Sequence, residues 1–233
     1  MFRFVPFLLF CLPLFAPSIA LADENAFYVK GVAAFYKRDY KNALQNFTIA
    51  SSQGDKSSQC LLGVMYAEGV GVAQDYEVAF RLHSKVAEEC IFAQYSLGFM
   101  YSNGKGGVSQ DYKEALKWYR KGAERGHSES QLELALMYVR GDGVIKDNKE
   151  AMKWFLKSAE QGNDVAQNES GMKYAMGQGV VQDNIQAHMW FTIAALNGNA
   201  NGKDNINVIE KRMSQAQISE SQKLTKKWIE THK

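Results

Sequence analysis

One spacing governs this chain. Asp39, Asp75, Asp111, Asp147 and Asp183 stand 36 residues apart, and Ala43, Ala79, Ala115, Ala151 and Ala187 follow four residues behind, in step. Bulky residues come seven or eight positions behind the Asp, as in Trp118-Tyr119, Trp154-Phe155 and Trp190-Phe191. Upstream run two further columns, Gln59, Gln94, Gln131 and Gln167, then Tyr66, Tyr101, Tyr138 and Tyr174. So many columns held in register define an array of repeated units. Each unit buries its apolar face only by stacking on its neighbours.

Each period decodes into two helices. The Asp is placed to cap a helix N-terminus, its carboxylate accepting from free backbone N–H groups. Glu114, Glu150 or Gln186 lies three residues on and predicts a capping box in three repeats. The helix that follows keeps one apolar face through Ala151, Trp154-Phe155 and Ser158-Ala159, and Gly126, Gly162 and Gly198 end it. The preceding helix carries Leu134, Ala135 and Tyr138 on one face, and a small residue in the Ala135 column (Gly63, Gly98, Gly171) lets its neighbour approach closely. Gly69/Gly71, Gly141/Gly143 and Gly177/Gly179 link the two helices. A phosphate loop would follow a strand and would not recur beside a capping Asp in successive units, so these glycines read as hinges.

The copies are uneven. The second carries an insertion, NGKGGVSQD, that pushes Lys105 into a Gly position, and the first reads as losing a residue just after Cys90. Residues 23–55 lack the Gly-x-Gly link and are expected to form an N-terminal capping unit. Residues 56–200 hold four repeats, and residues 201–233 form C-terminal capping helices, the first over 204–212 after a polar link, the last opened by Ser214 with Gln217. Before them, MFRFVPFLLFCLPLFAPSIALA has a basic residue, an apolar run and Ala20-Leu21-Ala22, the layout of a secretory signal over residues 1–22. A retained anchor is the alternative, opposed by the short run and by Pro6, Pro13 and Pro17. Cys11 follows the bulky Phe10 and does not fit a lipidation site. The mature chain is thus expected in the periplasm or secreted, with no stable membrane span.

The columns resemble the Sel-like repeat family, a branch of the tetratricopeptide superfamily. The match runs through Leu97-Gly98, Tyr101, Gly107-Val108, Asp111-Tyr112, Ala115, Trp118-Tyr119, Ala123 and Gly126. It runs again through Tyr138, Gly141, Gly143-Val144, Asp147, Ala151, Trp154-Phe155, Ala159 and Gly162, covering roughly residues 26–200 in all. The resemblance implies an all-α, right-handed superhelical solenoid that serves as a binding scaffold. Departures are His83 at the second bulky position, expected to weaken packing locally, and Asn148 and Asn184 in place of Tyr after the capping Asp.

Chemistry-bearing patterns are missing. The four histidines, His83, His127, His188 and His232, show no metal-ligand spacing, and no G-x-S-x-G, Cys-His or paired-carboxylate arrangement stands out. No catalytic residue, metal or cofactor is expected, and a formal charge of +2 without a Lys/Arg block excludes a nucleic-acid partner. Cys60 reads as the start of one helix and Cys90 as the end of the next, ends that antiparallel packing brings together. A disulfide there would close a 30-residue loop, worth about 3 kcal/mol, and resembles the staples of secreted cysteine-rich relatives; two separate buried thiols are the alternative.

Carried over through the Leu-Gly-x-x-Tyr anchor, the concave, partner-facing column of first helices is Tyr95, Phe99 and Asn103, then Leu132, Leu136 and Arg140, then Asn168, Met172 and Met176. The function expected is a non-enzymatic periplasmic or secreted scaffold that binds a protein or peptide on this face. The resemblance also offers an immunity protein that neutralises a phospholipase-type toxin of a contact-dependent (type VI) secretion system. An envelope hydrolase is the remaining class, and it lacks a nucleophile or carboxylate cluster.

Overall fold

A computed structural model describes residues 25–232; the leader expected over residues 1–22 lies outside them. The chain divides at Asp111/Tyr112 into two compact units. The first holds α1 (Ala26–Tyr36), α2 (Tyr40–Ser52), α3 (Lys56–Glu68), α4 (Tyr76–Lys85) and α5 (Ile91–Asn103). The second holds α6 (Tyr112–Glu124), α7 (Ser128–Arg140), α8 (Asn148–Glu160), α9 (Asp164–Met176), α10 (Asn184–Leu196), α11 (Ala200–Glu210) and α12 (Gln215–Thr231). The fold is all-α: the described residues form helices and turns, and within each unit consecutive helices pack on one another, except that α12 packs on α10 rather than on α11.

The sequence columns turn into specific bonds. The carboxylates of Asp75, Asp147 and Asp183 each accept two backbone N–H groups from the first turn of α4, α8 and α10. Each Asp N–H in turn donates to the carbonyl of the Tyr column: Asp75 to Tyr66, Asp111 to Tyr101, Asp147 to Tyr138 and Asp183 to Tyr174, at 2.8–3.1 Å. Two columns read separately in the sequence are therefore the two ends of one closed turn. The Gln column closes the joint between repeats. Gln94, Gln131 and Gln167 donate through Nε2 to the carbonyls of Ala87, Ala123 and Ala159, satisfying orphan groups at the exit of the preceding helix.

The Gly-x-Gly pair has two jobs. Gly69, Gly141 and Gly177 end the first helices in the left-handed region, with φ of 69°, 85° and 66°. The second glycine is a point of close approach. A Cβ on Gly143 would meet the Tyr112 carbonyl oxygen, and one on Gly179 that of Asn148, at the head of the preceding repeat's second helix. In the link between α1 and α2, which has no glycine, Arg38 takes the left-handed conformation instead, at φ 61°.

Several expectations are corrected. Glu150 does not complete a capping box, because its carboxylate accepts from Trp154 Nε1 and Lys153 Nζ. The reciprocal box forms at Ser214 and Gln217. The helix expected over 204–212 is α11, which starts four residues earlier. Asn199 caps it, and Gly202 is a packing residue where a Cβ would press on the α10 backbone at Phe191 and Ala195. The residue lost in the first repeat falls before Cys90, not after it. Helix α4 is three residues shorter than its 13-residue counterparts, and Cys90 is the N-cap of α5, in the column of Asp55, His127, Asn163 and Asn199.

Candidate functional site

The expected partner-facing column grades from buried to exposed along each first helix. Tyr95 and Asn168, at its head, are buried, which corrects their assignment as contact residues. Asn168 is also covered locally: its Oδ1 accepts from Asn205 Nδ2 of α11 at 2.8 Å. Phe99, Leu132, Leu136 and Met172 are half-buried. Leu132 and Leu136 lean on the core around Phe155 and Trp190, and Met172 on that around Phe191 and Ile209. Asn103, Arg140 and Met176 are exposed at the helix ends, although Asn103 Nδ2 is turned back to the Phe99 carbonyl. The face is also less apolar than the column alone suggests. Glu133 lies a turn from Leu136, its carboxyl raised above the usual range by burial and drawn the other way by the Arg140 charge.

In the first unit a cleft opens between α3, α4 and α5. Glu68, Tyr76, His83, Tyr95, Ser96 and Phe99 line it, around an enclosed volume of about 20 Å³, room for one water. Burial raises the Glu68 carboxyl above the usual range. His83 is fully buried, and its Nε2 lies 3.2 Å from the Cys60 carbonyl oxygen, which can only accept. Nε2 therefore carries the proton and Nδ1 is an acceptor, left without a partner. Burial holds the imidazole down to about 4, hence neutral. The expected loss of packing at His83 is not seen: the ring fills the space over Gly63 as Phe191 does over Gly171.

Cys60 and Cys90 are joined by a disulfide with their Cα atoms 6.1 Å apart. The bond ties α3 to the head of α5 rather than to the end of α4. Cys90 Sγ also accepts the Ala93 N–H at 3.2 Å, the N-capping contact made by the oxygens of Asp55, Asn163 and Asn199 and by Nδ1 of His127 elsewhere in this column. A second cavity, about 140 Å³, lies beside the bond between Tyr28, Lys56, Leu61 and Phe92, with Lys56 and Glu89 paired at its edge.

The remaining buried histidines lie in the second unit. His127 caps α7, its Nδ1 accepting the Ser130 N–H at 3.2 Å with Ser130 Oγ at 3.0 Å, and burial lowers it to about 4. His188 meets a carboxylate that no sequence spacing announced. Its Nε2 donates to Glu210 Oε1 at 3.1 Å while Nδ1 accepts from Ser221 at 2.8 Å. This Ser–His–Glu line has the polarity of a hydrolytic triad. Ser221, however, is wholly buried, and the line clasps α11 and α12 to α10. Partners 22 and 33 residues away, past the end of the periodic segment, left no local spacing to read. No group of three or more potential metal ligands occurs among the described residues, and no described helix is long and apolar enough to cross a membrane.

Capped helix pairs, a ring column packed on small residues and a graded first-helix face define a helical-repeat scaffold. The chain belongs to the Sel1 repeat family: the family model matches residues 20–55, 56–89, 91–127, 128–163 and 164–199, thus taking in the N-terminal pair as well. A Sel1 repeat protein from Oxalobacter formigenes is similar over 76% of this chain and 73% of its own, at 31% identity and a TM-score of 0.67. The protein c5321, a protective antigen of uropathogenic Escherichia coli with the same repeat fold, is 28% identical over 83% of this chain, with a TM-score of 0.58. This chain spans about half of that protein's length, 49%. A Sel1 repeat protein from Klebsiella pneumoniae subsp. pneumoniae, 23% identical over 79% of this chain and 92% of its own, shares the fold at a TM-score of 0.52. None of the curated proteins matches the chain.

Proposed function

We propose that this Sel1 repeat chain is an exported, non-enzymatic scaffold that holds a protein or peptide partner against the first helices of its repeats. Sel1 repeats commonly mediate protein interactions, and the gradation along α5, α7 and α9 carries the reading here. Apolar Phe99, Leu132, Leu136 and Met172 are held half-open by the core behind them, and Arg140 and Met176 stand exposed at the helix ends. Such a surface buries apolar area on contact and selects by a few charges. By contrast, the one Ser–His–Glu line noted above is sealed from substrate.

Export is supported by the leader-like first 22 residues and by the Cys60–Cys90 bond, which persists in an oxidising compartment such as the periplasm or outside the cell. The test is capture from envelope extract with the wild-type protein and the Arg140→Glu/Met176→Asp variant. Both positions are exposed, so the variant keeps its helical circular dichroism while losing the captured protein. Retention of the same partner by the folded variant would move the interface off this face.

A further inference from the structure

The insertion in the second repeat puts a cation on an aromatic pair. Lys105 Nζ lies 4.5 Å from the Tyr76 ring centroid and 5.1 Å from that of Phe99, and the two rings are 5.9 Å apart. Glu68, Tyr76 and Phe99 line one cleft, which Tyr95 and His83 also line. An aromatic wall beside a carboxylate is the chemistry that recognises an ammonium group. The His83 tautomer adds an acceptor, since Nδ1 has a lone pair and no partner.

The repeat itself does not demand this set. Where Glu68 stands before its C-capping glycine, the later repeats have Asn103, Arg140 and Met176. Where Tyr76 follows its capping Asp, the last two have Asn148 and Asn184. Both rings and the carboxylate thus belong to α3–α5, and the Lys105 ammonium lies over the two rings. Lys105 is exposed, on a link that holds Gly104, Gly106 and Gly107, and an exposed cation–π contact is weak enough to be displaced.

We infer that Tyr76 and Phe99, with Glu68 in the same cleft, form a receptor for the ammonium of a partner's lysine, and that Lys105 covers the two rings in cis as a removable plug. The inference rests on the protein-binding reading above and names the group that the partner inserts.

The test uses a small probe and so is independent of capturing the partner. Nα-acetyl-lysine N-methylamide, with the norleucine analogue as the uncharged control, is titrated while the Tyr76 and Phe99 ring resonances are followed by NMR. Lys105→Gln is expected to bind the lysine probe about three- to fivefold more tightly than wild type, with no response to norleucine. Adding Glu68→Gln or Phe99→Leu to Lys105→Gln is expected to abolish the gain. Equal binding by wild type and Lys105→Gln would make Lys105 a structural cap only and overturn the inference. An equal response to norleucine would overturn it too, by showing an apolar cleft without charge selection. Either failure leaves the partner-binding reading to its own capture test.

Discussion

The two units close the same repeat by different means. In the second unit the ring column holds Tyr119, Phe155 and Phe191, all buried, and the ends are clasped by polar pairs such as Asn197 Nδ2 to Gln167 Oε1 and Ser158 Oγ to the Ser128 carbonyl. In the first unit Phe47 keeps the ring position over Gly31, but His83 takes it in the next helix pair, and at the head of α5 a disulfide cysteine takes the place of an oxygen-based cap. The first unit also carries the insertion and the shortened α4. Departures from the repeat pattern cluster there, beside the cleft proposed to receive a charged group, which is where conflict between local rule and function is expected.

The largest test of this contrast is Phe155→Ala, which empties a fully buried ring site in the second unit. It is expected to cost about 3–5 kcal/mol in urea unfolding. Next is Cys60→Ala/Cys90→Ala, expected to cost about 3 kcal/mol. Hydrogen exchange would rise across α3–α5 and stay unchanged in α7–α10; a uniform rise would mean that the bond braces more than its own unit.

Acid should separate the units as well. His83 and His127 are held down to about 4, below the ordinary 6.5, so the unfolded chain binds more protons between those values. Their stabilisation is complete above pH 6.5 and is lost as pH falls toward 4, by up to about 3 kcal/mol each. Carboxyls raised by burial act in the opposite sense, gaining stability as pH falls through their folded values. Among the described residues the first unit has one such group, Glu68, and the second has two, Glu129 and Glu133. Hydrogen exchange from pH 7 to 4 should therefore loosen the first unit more steeply, and His83→Phe should flatten its profile. The smallest effect is that of Gln167→Leu, about 1–2 kcal/mol by thermal melt, from an Ala159 carbonyl left without its donor.

The repeat was legible because periodicity and caps are local. Asp at the N-cap, Gly at the C-cap and a small residue facing a ring each announce themselves within a few positions. The Gln and Tyr columns were visible, but their roles were not, because their partners are backbone carbonyls and N–H groups that carry no side-chain signature. At the candidate site, a face could be assigned from helical spacing, whereas burial along it could not. Tyr95 and Asn168 share the face of Phe99 and Met176, and only the placement of neighbouring helices, α11 in the case of Asn168, closes it over them. The ammonium contact depends on the insertion folding back onto Tyr76 and Phe99, and His188 finds Glu210 and Ser221 only once α11 and α12 return.

The central claim is that the first helices, not the second, grasp another molecule. Hydroxyl-radical footprinting of the captured complex tests it directly, by comparing side chains on the two kinds of helix. The account predicts protection of Phe99, Leu136 and Met176 on α5, α7 and α9, with Trp118 and Trp154 on α6 and α8 labelled as in the unbound protein. Protection confined to Trp118 and Trp154 would contradict it.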